Sequence, residues 1–180
     1  MIRRMNSTPH SGPADVTNPG APVWRSCHFD ALSVYELDVI YRARQQVFVL
    51  EQDCAYLDAD GADSASLHLA GWAPAAPASG SASASTARVL AYARIVPPGL
   101  KYAEASIGRV LTVAAVRGSG LGHELVRRAV AQAQFTFPGQ AIRISAQAHL
   151  QAFYAGAGFV SVGAAYLEDG IAHIEMLRPK

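Results

Sequence analysis

The sequence predicts an α+β domain in which helices cover a mixed β-sheet. Apolar positions switch along the chain between the alternation of half-buried strands and the three-to-four spacing of amphipathic helices. Strand-like segments form hairpin pairs toward both ends. Between them a strand leads through a glycine-rich turn, Arg117-Gly118-Ser119-Gly120-Leu121-Gly122, into a helix. Strands before and after helices, with hairpins at either end, describe a mixed sheet rather than a purely parallel one.

Residues 1–22 are rich in Ser, Pro, Gly and Asn and carry almost no large apolar side chains, so they are read as a flexible tail ahead of one domain over residues 23–180. Residues 23–29 form the first strand. Ser33, with Glu36 three positions on, is a capping box, and Leu37, Ile40, Tyr41, Arg44 and Phe48 then share one face of a helix ending near Glu51. Asp58, Asp60, Gly61 and Asp63 follow in a polar loop. Residues 66–72 and 89–95 are two strands of a hairpin, joined by a flexible Ala/Ser/Pro loop at 74–86. Pro97-Pro98-Gly99 stops the second of them.

A strand at 106–112 precedes the glycine-rich turn. Leu121, Leu125, Val126, Ala129, Val130 and Ala133 then recur at helical spacing until Pro138-Gly139. Residues 141–146 form a fifth strand, 150–157 a short helix closed by Gly158, and 159–163 a sixth strand. Tyr166 and residues 171–177 flank Glu168-Asp169-Gly170 as a last hairpin.

Composition narrows the function. A formal net charge of +1, with fifteen basic residues scattered along the chain, provides no field for nucleic acid or an anionic membrane. No apolar run reaches membrane-spanning length, and Asn6-Ser7-Thr8-Pro9 stands where a secretory signal would need an apolar stretch, so a cytoplasmic protein is expected. Cys27 and Cys54 lack CxxC or zinc spacing and read as two thiols in a reducing compartment. No metal is expected: Asp58-x-Asp60-Gly61-x-Asp63 lacks the spacing and final glutamate of a calcium loop.

Glycines at a helix start adopt positive φ and let a ligand approach the main chain. The N–H groups of the first helical turn have no intrahelical partner and sit at the positive end of the helix dipole. Backbone of residues 118–122, with Arg117 at the rim, could therefore hold a pyrophosphate; equally, Gly118 and Gly120 could simply shape a tight turn. The spacing is neither that of a dinucleotide fingerprint nor that of a P-loop.

Arg117-x-x-Gly120-x-Gly122, between strand and helix, resembles the coenzyme A pyrophosphate loop of the GNAT N-acetyltransferase superfamily. Phe153-Tyr154-Ala155-Gly156-Ala157-Gly158-Phe159 is similar to the family's FYxxxGF segment. Further segments resemble the ElaA-like branch: residues 44–49 with Glu51-Gln52, then 91–95, 107–110, 146–151, and 168–171 with His173-Ile174. The resemblance implies a GNAT-like three-layer arrangement, with a central mixed, splayed sheet of six to seven strands and helices on both faces. It implies acetyl-CoA as co-substrate and transfer of the acetyl group to an amine. The acceptor is left open among a small amine, a polyamine, an antibiotic and a protein amine.

That chemistry needs a donor for the developing oxyanion, a base for the amine and an acid for the departing thiolate. The resemblance places the coenzyme at Leu111, Thr112 and Val113, through main-chain groups, and at Arg117, Gly118, Ser119, Gly120, Leu121, Gly122 and His123. It places Tyr154 as general acid. Many relatives carry a glutamate where this chain has Ser106. Glu104, two residues earlier and on the same face if the strand reaches it, is then the candidate base. Glu51, Asp58, His68 and His149 are alternatives, as bases or acceptor contacts, each competing with a role as cap, loop solvator or core partner. Arg94 and Arg109 lie mid-strand, where an unpaired charge is costly. They either line the cleft or pair with a carboxylate such as Glu51 or Asp58, and the acidic loop could attract a cationic amine. A non-catalytic acyl-CoA-binding module and a scaffold for another nucleotide are the rival functions. Exposed sheet edges leave a homodimer open.

Overall fold

The structure, a computed structural model, describes residues 20–74 and 87–180. Nearly all of the expected tail and of the 74–86 loop lies outside these. The elements run β1 (Val23–His28), α1 (Val34–Arg44), a π-helical segment (Gln45–Glu51), β2 (Leu67–Trp72), β3 (Val89–Val96), β4 (Ala105–Thr112), α2 (Leu121–Thr136), β5 (Ile142–Gln147), α3 (Gln151–Ala155), β6 (Val160–Ser161), β7 (Tyr166–Glu168) and β8 (Ile171–Arg178). They build one mixed sheet of eight strands rather than six to seven, because the short β6 and β7 both pair with β8. The order is β1-β2-β3-β4-β5-β8-β6, and only β4 and β5 run parallel.

Side-chain parity assigns the two faces. Leu67, Leu69, Ala93, Ile95, Ile107 and Ile144 point to the side covered by α2, whose buried stripe is Leu121, Leu125, Val126, Ala129, Val130 and Ala133. Ala70, Val89, Tyr92 and Leu111 point to the other side and meet Ile40 of α1 and Val47 of the π-helical segment. Helices therefore cover both faces, and each strand of the centre is buried twice.

The capping box expected from Ser33 and Glu36 is formed. Ser33 Oγ accepts from the Glu36 N–H at 3.2 Å, and the Glu36 carboxylate accepts from the Ser33 N–H at 2.8 Å. Ser33→Ala is expected to cost about 0.5–2 kcal/mol, read as a lower urea midpoint with an unchanged slope. The helical run does reach Glu51, but from Gln45 it winds as a π-helix. Widened turns of this kind are common beside functional sites.

Two backbone features open the centre of the sheet. The β4–β5 pairing consists of Ala105↔Ile142 and Ser106↔Arg143 alone, so the strands part beyond it. On its other edge β4 bulges: Tyr92 faces Leu111 and Arg94 faces Gly108, so Ala93 opposes both Arg109 and Val110. Arg109 takes φ +51°, a left-handed conformation uncommon for a residue with a Cβ.

Candidate active site

Where β4 and β5 part lies a cavity of about 420 Å³. Its walls come from residues 107–110 of β4, 144–147 of β5, the chain after the π-helical segment, the β7–β8 hairpin, and Tyr154 of α3. Tyr154 is 7% exposed and packs edge-on against Phe153 and Phe159, with ring centroids at 4.9 and 6.1 Å. Burial alone pushes its phenol up to about 12, so it holds its proton at any working pH. Its hydroxyl has no hydrogen-bond partner among the described residues, which leaves that proton free for whatever occupies the cavity.

The glycine-rich turn is shaped as its composition requires. Gly118 and Gly120 take φ +80° and +87°, and Gly120 is the N-cap of α2. A Cβ on either would meet nothing within 4 Å, so conformation rather than space demands glycine there. Ser119 Oγ donates to the Val116 carbonyl at 2.7 Å and closes the preceding turn. Arg117 is exposed; its guanidinium donates to the Thr112 carbonyl at 3.1 Å and to Glu51 at 2.5 Å. His123 stands beside Phe153, and Leu121 is buried in the core and offers the site only its backbone. The Leu111 side chain is buried on the α1 face, and the Val113 N–H is taken by the Leu90 carbonyl at 3.0 Å.

On the acceptor side several expected residues are placed elsewhere. Glu104 precedes the first residue of β4 and is gripped by Arg143 at 2.8 and 3.0 Å, off the cavity wall; those bonds hold its carboxyl below the usual range. Ser106 is on the wall. His68 is buried away from the cavity. Its Nε2 faces the Asp63 carbonyl at 3.0 Å and its Nδ1 the Tyr92 hydroxyl at 2.8 Å, so both nitrogens are used. Burial lowers its pKa despite the Asp63 carbonyl. His149 is exposed on the turn before α3 and is no part of the wall. Glu51 is tied to Arg117.

The acidic loop is half of an ion-pair network. Arg44, fully buried, reaches Asp58 at 2.8 Å and Asp63 at 2.7 Å. Arg94 pairs with Asp60 and Asp63 rather than with Glu51 or Asp58, at 2.7 and 2.9 Å. Arg109 pairs with Asp58 at 2.7 Å, and Lys101 adds to Asp60 at 3.0 Å. Arg94, Arg109 and Asp60 still show on the cavity wall, so the network both fixes the loop and forms part of the site's floor.

Sequence reasoning missed a polar group on the sheet between β5, β7 and β8. Glu175 accepts from the hydroxyls of Tyr102 and Tyr166 at 3.0 and 3.1 Å, and Ser145 bonds Tyr166 at 2.6 Å. Gln147 donates to Gln52 at 3.1 Å across the cavity. The signal was present: Arg143, Ser145 and Gln147 alternate with Ile142, Ile144 and Ala146 along β5, the mark of one polar strand face. Among the described residues no group of three or more His, Cys, Asp or Glu side chains is placed to hold a metal, and no helix is long and apolar enough to cross a membrane.

Known proteins share this design. A family profile described as an acetyltransferase (GNAT) domain matches residues 83–178. A UPF0039 protein of Synechocystis sp. is 40% identical over 86% of this chain and 93% of its own length. The crystal structure of an acyl-CoA N-acyltransferase from Pseudomonas aeruginosa superposes with a TM-score of 0.77 at 39% identity, covering 88% of this chain and 99% of that one. Escherichia coli ElaA superposes with a TM-score of 0.76 at 34% identity over 87% of this chain and 99% of its own. With the splayed sheet, the glycine-rich turn and these relatives in agreement, the chain belongs to the GNAT acyltransferase family, among the ElaA and UPF0039 proteins.

Proposed function

We propose that this protein is an acetyl-CoA-dependent N-acetyltransferase that passes an acetyl group directly to a primary amine. The observation that carries this reading is Tyr154, a protonated phenol with no hydrogen-bond partner among the described residues, on the wall of the cavity between the parted β4 and β5. The name of the matching family supports acetyl as the group transferred. Residues 118–122 would receive the pyrophosphate at the start of α2, where Arg117 could exchange its bond to Glu51 for one to phosphate. The main chain of β4 beyond Ser106, unpaired with β5, would align the thioester along the gap. Tyr154 would give its proton to the departing sulfur. The cytoplasm is the proposed location, and a homodimer through an open sheet edge the proposed assembly.

Thermal shift with acetyl-CoA, a longer acyl-CoA, ATP and NAD distinguishes the ligand classes, and coenzyme A release over spermidine, tyramine, kanamycin and a lysine peptide distinguishes transfer from mere binding. Stabilisation by acetyl-CoA together with release on at least one amine is expected; neither stabilisation nor consumption of acetyl-CoA would refute the reading. Gly120→Ala is expected to destabilise the fold by about 1–2 kcal/mol, because it forces a residue with a Cβ into the left-handed region that Gly120 already occupies. Urea unfolding of the variant measures it.

A further inference from the structure

An amine that enters as an ammonium must lose a proton before it attacks, and Glu104, gripped by Arg143 off the cavity wall, is badly placed to take it. Resting on the acetyl-transfer reading above, we infer that His173 of β8 is the general base, accepting that proton on Nε2 from a cationic amine.

His173 lies on the cavity wall. Its Nδ1 is 2.9 Å from the Ile171 carbonyl, which can only accept, so Nδ1 carries a hydrogen and the neutral ring has its lone pair on Nε2. Nε2 has no partner among the described residues. In His68, by contrast, both nitrogens are engaged. The ring is steadied by Tyr166, at a centroid distance of 6.1 Å. Directly opposite on β5 is Gln147, so the two side chains share one sheet face. Gln147 ends the strand that leads through a single turn into α3 and Tyr154. Base and acid therefore approach one cavity from adjacent elements.

The surrounding charges favour a cation. His173 pairs across the sheet with Tyr166 of β7 and Gln147 of β5, and Glu175 lies two residues on along its own strand. The other titratable groups on the cavity wall are Glu168, Asp169, Cys54, Tyr56, Tyr102 and Tyr154, with Asp60, Arg94, Lys101 and Arg109 in the ion-pair network at the floor. Among the described residues no cationic side chain pairs with Glu168 or Asp169, whereas Asp58, Asp60 and Asp63 are all matched by arginines. The hairpin end of the cavity thus keeps uncompensated negative charge.

The protons balance. His173 Nε2 takes one from the ammonium and returns it to solvent. As the C–N bond forms and the C–S bond breaks, Tyr154 protonates the thiolate and recovers the second proton of the nitrogen.

The test is His173→Gln beside the wild-type protein and His28→Gln, an exposed histidine remote from the cavity, assayed from pH 6 to 10 with spermidine, tyramine, kanamycin and a lysine peptide. For whichever amines the wild type acetylates, His173→Gln is expected to lower kcat/KM about ten- to a hundredfold at pH 7. The KM for acetyl-CoA should stay unchanged. The deficit should shrink toward pH 10, where a free amine of pKa about 10.4 supplies its own deprotonated form. A wild-type rate, or a deficit constant across pH, overturns the assignment. So does nitrogen NMR of labelled histidine that finds the neutral ring protonated on Nε2. If the wild type acetylates none of these amines, it is the amine-transfer reading that falls, and the base with it.

Discussion

Tyr154→Phe is expected to lower kcat by roughly ten- to a thousandfold, within the contribution of a general acid, while leaving the fold and the acetyl-CoA affinity in place. The substitution removes one oxygen from a ring held edge-on by Phe153 and Phe159, and both ring contacts survive in phenylalanine. No donor or acceptor among the described residues is left unpaired by the loss, so the protein should melt at or slightly above the wild-type temperature. A fall in kcat can then be assigned to chemistry. Burial pushes the phenol up to about 12, so the acid form persists through pH 6–10 and the tyrosine itself should add no inflection there. Single-turnover kinetics separate this step from product release. A variant that acetylates its amine at the wild-type rate removes Tyr154 from the mechanism.

The legible parts of this molecule are those where a local rule decides the outcome. Ser33 and Glu36 announce a helix start through two reciprocal hydrogen bonds between residues three positions apart, and both form. Gly118 and Gly120 announce positive φ at the start of α2, and both adopt it. The stripe from Leu121 to Ala133 finds the sheet face whose parity matches it. Strand count was less legible, because β6 and β7 have two and three residues and exist only by pairing with β8.

The acceptor side is less legible for a different reason: its geometry depends on partners distant in sequence. Glu104 shares the face of Ser106 only where the strand continues to it, but the strand begins at Ala105 and Arg143, thirty-nine positions away, claims the carboxylate. His68 looked available until the fold set Tyr92 and the Asp63 carbonyl on its two nitrogens. The three aspartates between residues 58 and 63 resembled an exposed acidic loop because the arginines that neutralise them lie on α1, β3 and β4. Charge density along the chain says nothing about charge balance in space.

That balance makes Asp63 the residue whose loss should unfold the protein most readily. One of its oxygens accepts from Arg44 at 2.7 Å and from Arg94 at 2.9 Å, the other from Tyr41 at 3.3 Å. Its main chain supports His68 and Ser66 in addition. Asp63→Ala leaves two buried guanidiniums short of a partner, and breaking a buried pair from one side costs about 3–5 kcal/mol. At about 2–4 °C per kcal/mol for a chain of this size, the melting temperature should drop by roughly 6–20 °C. The pH dependence supplies a second check. Burial pushes the Asp63 and Asp60 carboxyls up, but the bonds from Arg44 and Arg94 to Asp63, and from Arg94 and Lys101 to Asp60, outweigh it and hold both below the usual range. A depressed carboxyl stabilises the fold above its unfolded pKa of about 3.9 and loses that contribution as pH falls through the folded value. Unfolding free energy should therefore fall as pH drops below about 4, and fall less steeply in Asp63→Asn, which keeps the shape of the side chain and has no proton to gain. Equal slopes in the two proteins would mean that the Asp63 carboxylate contributes nothing to acid stability.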